Sequence, residues 1–396
     1  MKICLLTQNL YSLGGIQRVL STVFPELIAR GGYEVSVLMP FDEKDSRLFQ
    51  IPEQVMLNDV RKMRRSSRGL AGWILAANKR VSFLNRKMFN SLVEKMKFPE
   101  EMLRRYANFI NEGNFDVVIG VNSENSLLAG ALSDRISART VGWQHSTFES
   151  YFMRRGTHSF GLSQYAAQCY RKLDGVWVLT RADKREFDRA FGIDAQVLYD
   201  PIPTQQAEPA IPFLNRSEVI FVGRLNRDIK GLDYLIEIVS EMQKQLPQVR
   251  VTVVGDGGDR AWMEKEIRQR TPPVSMDLVG ATKDVSAYYE RAALMLLPSR
   301  QEGFGMSIVE AMSFGVPTVA FHNLGPDEVI RDGVDGYLID RFDVKHFADK
   351  AVELLTDGEK REAFCEEARK RAKAFEIDTW MPTFEEYLND AANRRK

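Results

Sequence analysis

Apolar and polar positions alternate in blocks along this chain. Short, nearly continuous apolar runs fall at residues 2–7, 34–39, 116–121, 140–143, 175–179 and 196–198, the pattern of strands buried on both faces. Between them the apolar positions take up a helical period, as at 16–30, 127–133 and 159–171. A buried strand followed by a helix, repeated, predicts a parallel α/β sheet wound on both sides. The alternation stops at 200–217, where Pro201, Pro203, Pro209 and Pro212 lie within twelve positions, and that passage reads as an interdomain linker. It then restarts, with strand runs at 218–222, 250–255, 276–279, 294–297, 318–321 and 336–339. Helices are predicted at 231–245, 260–269, 285–291, 307–314, 344–355 and 359–374. Two doubly wound halves imply a cleft lined by strand C-termini and helix N-termini.

Composition agrees with two folded domains: 396 residues, 44% hydrophobic and 27% charged. No run approaches the roughly 18–20 apolar residues that a bilayer-spanning helix needs. The opening residues turn polar at Gln8 and Asn9, so they read as a first strand and not as a signal peptide. Cys4, Cys169 and Cys365 are too few and too far apart for a disulfide framework or a metal cluster, and a cytoplasmic location is expected. The formal net charge of zero conceals an asymmetry. Residues 1–200 carry 28 basic and 21 acidic side chains, residues 201–396 carry 26 and 33, and residues 61–105 alone carry 13 against 3.

Three loops carry candidate chemistry. Gly14 and Gly15 stand between the first strand and first helix, either as a tight structural turn or as an anion-binding loop. They do not form the G-x-G-x-x-G of a dinucleotide fold. Arg224 and Lys230, six residues apart between a strand end and a helix start, suit a diphosphate whose charge must be stabilised as it leaves. In the stretch from Pro298 to Pro317, a Gly303-Phe304-Gly305 turn presents backbone N–H groups ahead of a helix, bracketed by Glu302 and Glu310. Carboxylates in that place repel phosphate but accept from sugar and ribose hydroxyls.

Glu302 and Glu310, with seven residues between them, resemble the E-x7-E motif of retaining GT-B glycosyltransferases of family 4. Val222-Gly223-Arg224-Leu225, Lys230-Gly231, Val254-Gly255-Asp256-Gly257, Gly315-Val316-Pro317 and Asp332-Gly333 are similar to that family's other landmarks, in its order. The resemblance is strong over 218–340 and looser before 200. It implies two Rossmann-like domains: an acceptor-binding one at 1–199 and a nucleotide-sugar-binding one at 218–376. It also implies a C-terminal helix, 377–396, that crosses back to the first. Arg224 and Lys230 would hold the donor diphosphate, and Glu310 the ribose. Glu302 would face the donor sugar, with backbone groups from Gly303, Phe304, Gly305, Met306 and Ser307. Gly14 and Gly15 would lie over the phosphates, and the turn from Gly280 to Thr282 would edge the base. His145, just past a strand end, would lie close to the donor's hexose, whereas His158, His322 and His346 match no such position.

The implied reaction is transfer of a hexose or N-acetylhexosamine from a nucleotide-sugar, UDP-linked by default, to an acceptor hydroxyl with retention. No Asp-x-Asp motif stands at a strand end, so no metal and no cofactor are expected. In 61–105, cations interleave with Trp73, Phe83, Met88, Phe89 and Phe98 at near-helical spacing, which suits an anionic membrane face as well as ordinary core-facing helices. The expectation is a peripheral protein on the inner face of the cell membrane, acting on a lipid-linked or cell-surface polysaccharide precursor. No nucleic-acid fold accompanies the basic stretch. A soluble transferase acting on a protein or small molecule, and a non-catalytic nucleotide-sugar-binding protein, are the alternatives.

Overall fold

A computed structural model of the chain describes residues 1–10, 14–40, 51–61, 63, 69–157, 159–205, 210–282 and 284–394. The chain divides into two compact units, one made of Met1–Pro201 with Trp380–Lys396, the other of Ile202–Thr379.

The first unit holds a seven-stranded sheet. Its strands are β1 (Lys2–Leu6), β2 (Glu34–Met39), β3 (Met56–Asp59), β4 (Val117–Val121), β5 (Arg139–Trp143), β6 (Gly175–Val178) and β7 (Gln196–Val197). Their order is β3-β2-β1-β4-β5-β6-β7 and every pair is parallel. β4 and β6 are buried at every position, which is why they read as continuous apolar runs. β3 escaped the sequence reading for the same reason in reverse. It is a four-residue edge strand, Met-Leu-Asn-Asp, exposed at both ends, with no apolar run to announce it.

The second unit holds β8 (Glu218–Val222), β9 (Val251–Val254), β10 (Met276–Gly280), β11 (Ala292–Leu297), β12 (Thr318–Phe321) and β13 (Gly336–Ile339). The order is β10-β9-β8-β11-β12-β13, again parallel throughout. Helices follow the strands, among them Leu232–Gln245, Arg260–Gln269, Met306–Ser313 and Gly358–Ala372, each within one or two residues of its predicted bounds. The passage at 200–217, read from its prolines as a linker, is bound to this unit over part of its length. Ile202 is buried and exchanges backbone hydrogen bonds with Phe375 and Ile377, and Arg216 donates to the Phe314 carbonyl at 2.7 Å.

The helix Ile377–Asn393 starts in the second unit and belongs to the first from Trp380 onward. Its Trp380, Met381, Phe384, Leu388 and Ala391 are buried, at the spacing of one helical face. Trp380 stacks on Phe384 (ring centroids 4.8 Å apart) and on Trp143 (6.1 Å), and Trp177 meets Phe384 edge-on at 5.5 Å. Each such ring buries about 150–250 Å², so Trp380 and Phe384 bring a large apolar area of this segment out of water.

Candidate active site

In an open parallel sheet, the crevice for a ligand lies beyond the strand C-termini where the strand order reverses. The first sheet reverses between β1 and β4, the second between β8 and β11. The loops singled out from the sequence follow β1, β8 and β11, and His145 follows β5, one strand along.

In the second unit two loops are locked together. The Ile229 carbonyl accepts from the backbone N–H of Arg300 (2.8 Å) and of Gln301 (3.2 Å). Gly231 sits at φ +63°, and a methyl group there would lie 3.1 Å from the Pro298 carbonyl carbon and closer still to its oxygen. Only glycine combines that dihedral with that approach. Arg300 buttresses the pair with a two-pronged bond to Asp233 (2.7 and 2.5 Å) and lies over the Tyr234 ring. Asn226 caps the short helix Arg227–Lys230 through Ile229 N–H.

This construction sets Lys230 against Glu302. Lys230 Nζ donates to Glu302 Oε2 at 2.5 Å, with both side chains largely buried (16% and 12% exposed). Ser299 Oγ donates to the same oxygen at 3.2 Å, so both bonds fall on Oε2. The loop continues through Gly305, at φ +94°, into the helix Met306–Ser313, which has no side-chain cap on its first turn. The Ile308 N–H bonds the Gly305 carbonyl at 2.8 Å, whereas the N–H groups of Met306 and Ser307 lie before the first intrahelical bond. Phe304 does not face the site with its ring, which is buried and packs edge-on against Phe375 at 5.6 Å; what it offers is main chain. Glu310 is buried and accepts from Tyr289 OH at 3.1 Å. Arg224 is exposed in the loop after β8. The Gly280–Thr282 turn has its first carbonyl occupied by Gly255 N–H at 2.8 Å.

In the first unit, Gly14 has extended backbone (φ −176°) and Gly15 begins the helix Gly15–Arg30. Among the described residues, a methyl group on Gly15 would meet nothing within 4 Å, and one on Gly14 only the flexible Gln17 side chain. Neither residue has a left-handed dihedral. Tyr11, Ser12 and Leu13 of that loop lie outside the described residues. His145 Nδ1 lies 2.8 Å from Asp200 Oδ1, both side chains almost fully buried, and its ring rests on Trp143 at 4.6 Å. Tyr151 OH accepts from His145 N–H (3.3 Å) and donates to Asn122 Oδ1 (2.6 Å). Burial holds the Tyr151 hydroxyl well above its ordinary pKa, so it stays a neutral donor.

Of the other histidines, His322 pairs with Asp327 on the surface and His346 is met at its backbone N–H by Asp343; His158 lies outside the described residues. Tyr289, Ser299 and Asp200 were not picked out from the sequence. Tyr289 sits on a six-residue helix and Asp200 beside the prolines, and neither place carries a motif.

Residues 205–371 match the family model described as glycosyl transferases group 1. Two bacterial relatives and one solved structure extend the likeness. An uncharacterized glycosyltransferase of Haemophilus influenzae is 24% identical over 355 residues, 89% of this chain and 90% of its own. The Campylobacter jejuni GalNAc-alpha-(1->4)-GalNAc-alpha-(1->3)-diNAcBac-PP-undecaprenol alpha-1,4-N-acetyl-D-galactosaminyltransferase is 24% identical over 325 residues, 78% and 86%. The crystal structure of a mutant of S. aureus TarM in complex with Fondaparinux, alpha-GlcNAc-glycerol and UDP superposes with a TM-score of 0.75 at 15% identity, covering 99% of this chain and 100% of that one. The fold is the two-domain Rossmann-like GT-B fold. Fold and family model together support a GT-B glycosyltransferase of group 1. The matched segment contains Arg224, Lys230, Glu302, Glu310 and the loop between the last two.

Proposed function

We propose that this protein is a retaining, nucleotide-sugar-dependent glycosyltransferase that moves a hexose or N-acetylhexosamine to a lipid-linked or cell-surface polysaccharide precursor. The observation that carries the reading is the Lys230–Glu302 pair at the second sheet's reversal point, ahead of an uncapped helix start. A cation there stabilises charge developing on a departing diphosphate. Glu302 Oε1, which takes neither bond made by Oε2, is the oxygen offered to a sugar hydroxyl. Glu310, fixed by Tyr289, grips ribose hydroxyls, and Gly303 to Ser307 contribute main-chain N–H groups.

The bond from the anomeric carbon to the diphosphate oxygen breaks as the acceptor oxygen bonds to the same face of that carbon. The acceptor's proton passes to the departing phosphate oxygen, while Arg224 and Lys230 offset the negative charge. No step calls for a metal, and activity is expected to survive EDTA. A stability screen across UDP-, GDP- and ADP-sugars, followed by turnover, tests the reading, since a ligand bound only by the folded state raises its melting temperature. A nucleotide-sugar that stabilises the protein and is turned over supports it. Absence of any such ligand overturns it.

The acceptor reading draws on the helix Leu70–Val81 and its sequel. Ala71, Ile74 and Leu75 pack toward the core, and Asn78 is tied to Gly161 and Leu84. Leu70, Trp73 and Val81 are 77%, 79% and 69% exposed, and Met88 after them 76%. Arg80, Arg86 and Lys87 are exposed among them. Apolar residues left in water among cations suit an anionic lipid surface; Lys62, Arg64 and Arg65 lie outside the described residues. No helix of the described residues is long and apolar enough to cross a membrane. The undecaprenol in the Campylobacter relative's name adds weight to a lipid-linked acceptor at the membrane's inner face. Flotation with phosphatidylserine vesicles at low salt checks it: the protein is expected to float, and a Trp73→Ser, Arg80→Glu variant to remain below.

A further inference from the structure

His145 Nε2 is buried and has no hydrogen-bond partner among the described residues. Leaving such an atom unpaired costs about 1–3 kcal/mol, so folded proteins seldom do it without a reason. Its ring is nevertheless held from more than one side. Trp143 lies against one face and Tyr151 holds the His145 backbone N–H. Asp200 reaches Nδ1 from behind, 55 residues along the chain. Asp200 is itself fixed from the chain before it: Leu198 N–H bonds the Val178 carbonyl, and Trp380 Nε1 donates to the Tyr199 carbonyl at 2.5 Å.

An ionised carboxylate only accepts hydrogen bonds, so the 2.8 Å contact obliges Nδ1 to carry the proton. In the neutral ring Nε2 then has a lone pair and must be met by a donor. We infer that Asp200 is a positioning residue, selecting the Nδ1–H form of His145 so that Nε2 accepts a hydrogen bond from a hydroxyl of the donor sugar. The hydroxyl rests on the glycosyltransferase reading above; the tautomer does not. A hydroxyl fits because His145 lies two residues past the end of β5, beyond the strand C-termini where ligands bind, and because sugars are dense in O–H donors. A phosphate oxygen does not fit, having no proton to give.

The test is long-range ¹H–¹⁵N correlation on full-length protein labelled at its four histidines, near pH 8, with His145→Gln used for assignment. The expected His145 pattern is a protonated Nδ1 and a bare Nε2. Asp200→Leu should lose that pattern, and Asp200→Asn, whose amide oxygen still accepts from Nδ1, should keep it in part. A wild-type ring protonated at Nε2 overturns the proposal even if Asp200→Leu fails to fold, and so does an unchanged pattern in a folded Asp200→Leu.

With the nucleotide-sugar found by the screen, Asp200→Leu should lower kcat/KM by about 10- to 100-fold, the range for groups that orient a histidine from behind. The Asp200→Leu, His145→Gln double variant should be no worse than His145→Gln alone, because both act through one ring. Additive losses overturn the coupling. If no nucleotide-sugar is turned over, the hydroxyl assignment falls with the functional reading, and the tautomer pattern is read on its own.

Discussion

Gly231→Ala tests the packing that brings Lys230 to Glu302. Three glycines of the second unit separate the effects involved. Gly258 has no left-handed dihedral and nothing within 4 Å of an added methyl; Gly333 has φ +70° but open space; Gly231 has φ +63° and the Pro298 carbonyl against it. Gly258→Ala should leave stability within about 0.5 kcal/mol. Gly333→Ala should cost about 1 kcal/mol for an L-residue in the left-handed region. Gly231→Ala adds to that a backbone displacement of the kind overpacking forces, about 1–3 kcal/mol more, for a total of about 3 kcal/mol. At roughly 2–4 °C per kcal/mol for a unit of this size, the melting temperature should fall by about 6–12 °C. Differential scanning calorimetry of the three variants reads the series directly, and donor turnover below the transition reports whether Lys230 has moved. A Gly231→Ala variant no less stable than Gly333→Ala would refute the close approach, and with it the account of how the site is held.

Lys230→Ala removes the cation from Glu302 and from the departing diphosphate, so kcat should drop by about 10²–10³-fold, with Lys230→Arg recovering part of it; steady-state turnover on the screened donor measures both. Asp183 is buried, accepts from Phe148 N–H, and has its carboxyl pushed up from 3.8 to about 7 by that burial. The stability contributed by the neutral form is complete below the ordinary carboxylate pKa and is lost as pH rises toward 7. Asp183→Asn should therefore gain on the wild type by about 3 kcal/mol between pH 5 and pH 8, read by urea unfolding at the two pH values, and a pH-independent difference would contradict the assignment.

Continuously buried strands such as 117–121 and 292–297 stood out as apolar runs, and β10 was found as well although its burial is interrupted. The two-residue β7 was found because an apolar Val197-Leu198 marked it, while the polar edge strand β3 was not. The loops at Gly14, Arg224 and Glu302 were legible because glycines and charges at a strand-to-helix junction have few other uses. The partners of those residues were not. Tyr289 reaches Glu310 across 21 residues, Lys230 reaches Glu302 across 72, and Asp200 reaches His145 across 55.

Sequence alone determined the two α/β units, because hydrophobic period and chain punctuation are local properties of adjacent residues. It determined the chemical types at the site as well, because a cation, a carboxylate and a bare backbone each announce what they can bind. Tertiary structure decided which of these types meet. The order of strands in each sheet, the carbonyl of Pro298 pressed on a residue with no side chain, and the aspartate behind His145 arise from contacts between distant segments. Each depends on the packing of whole elements, and no spacing along the chain encodes it.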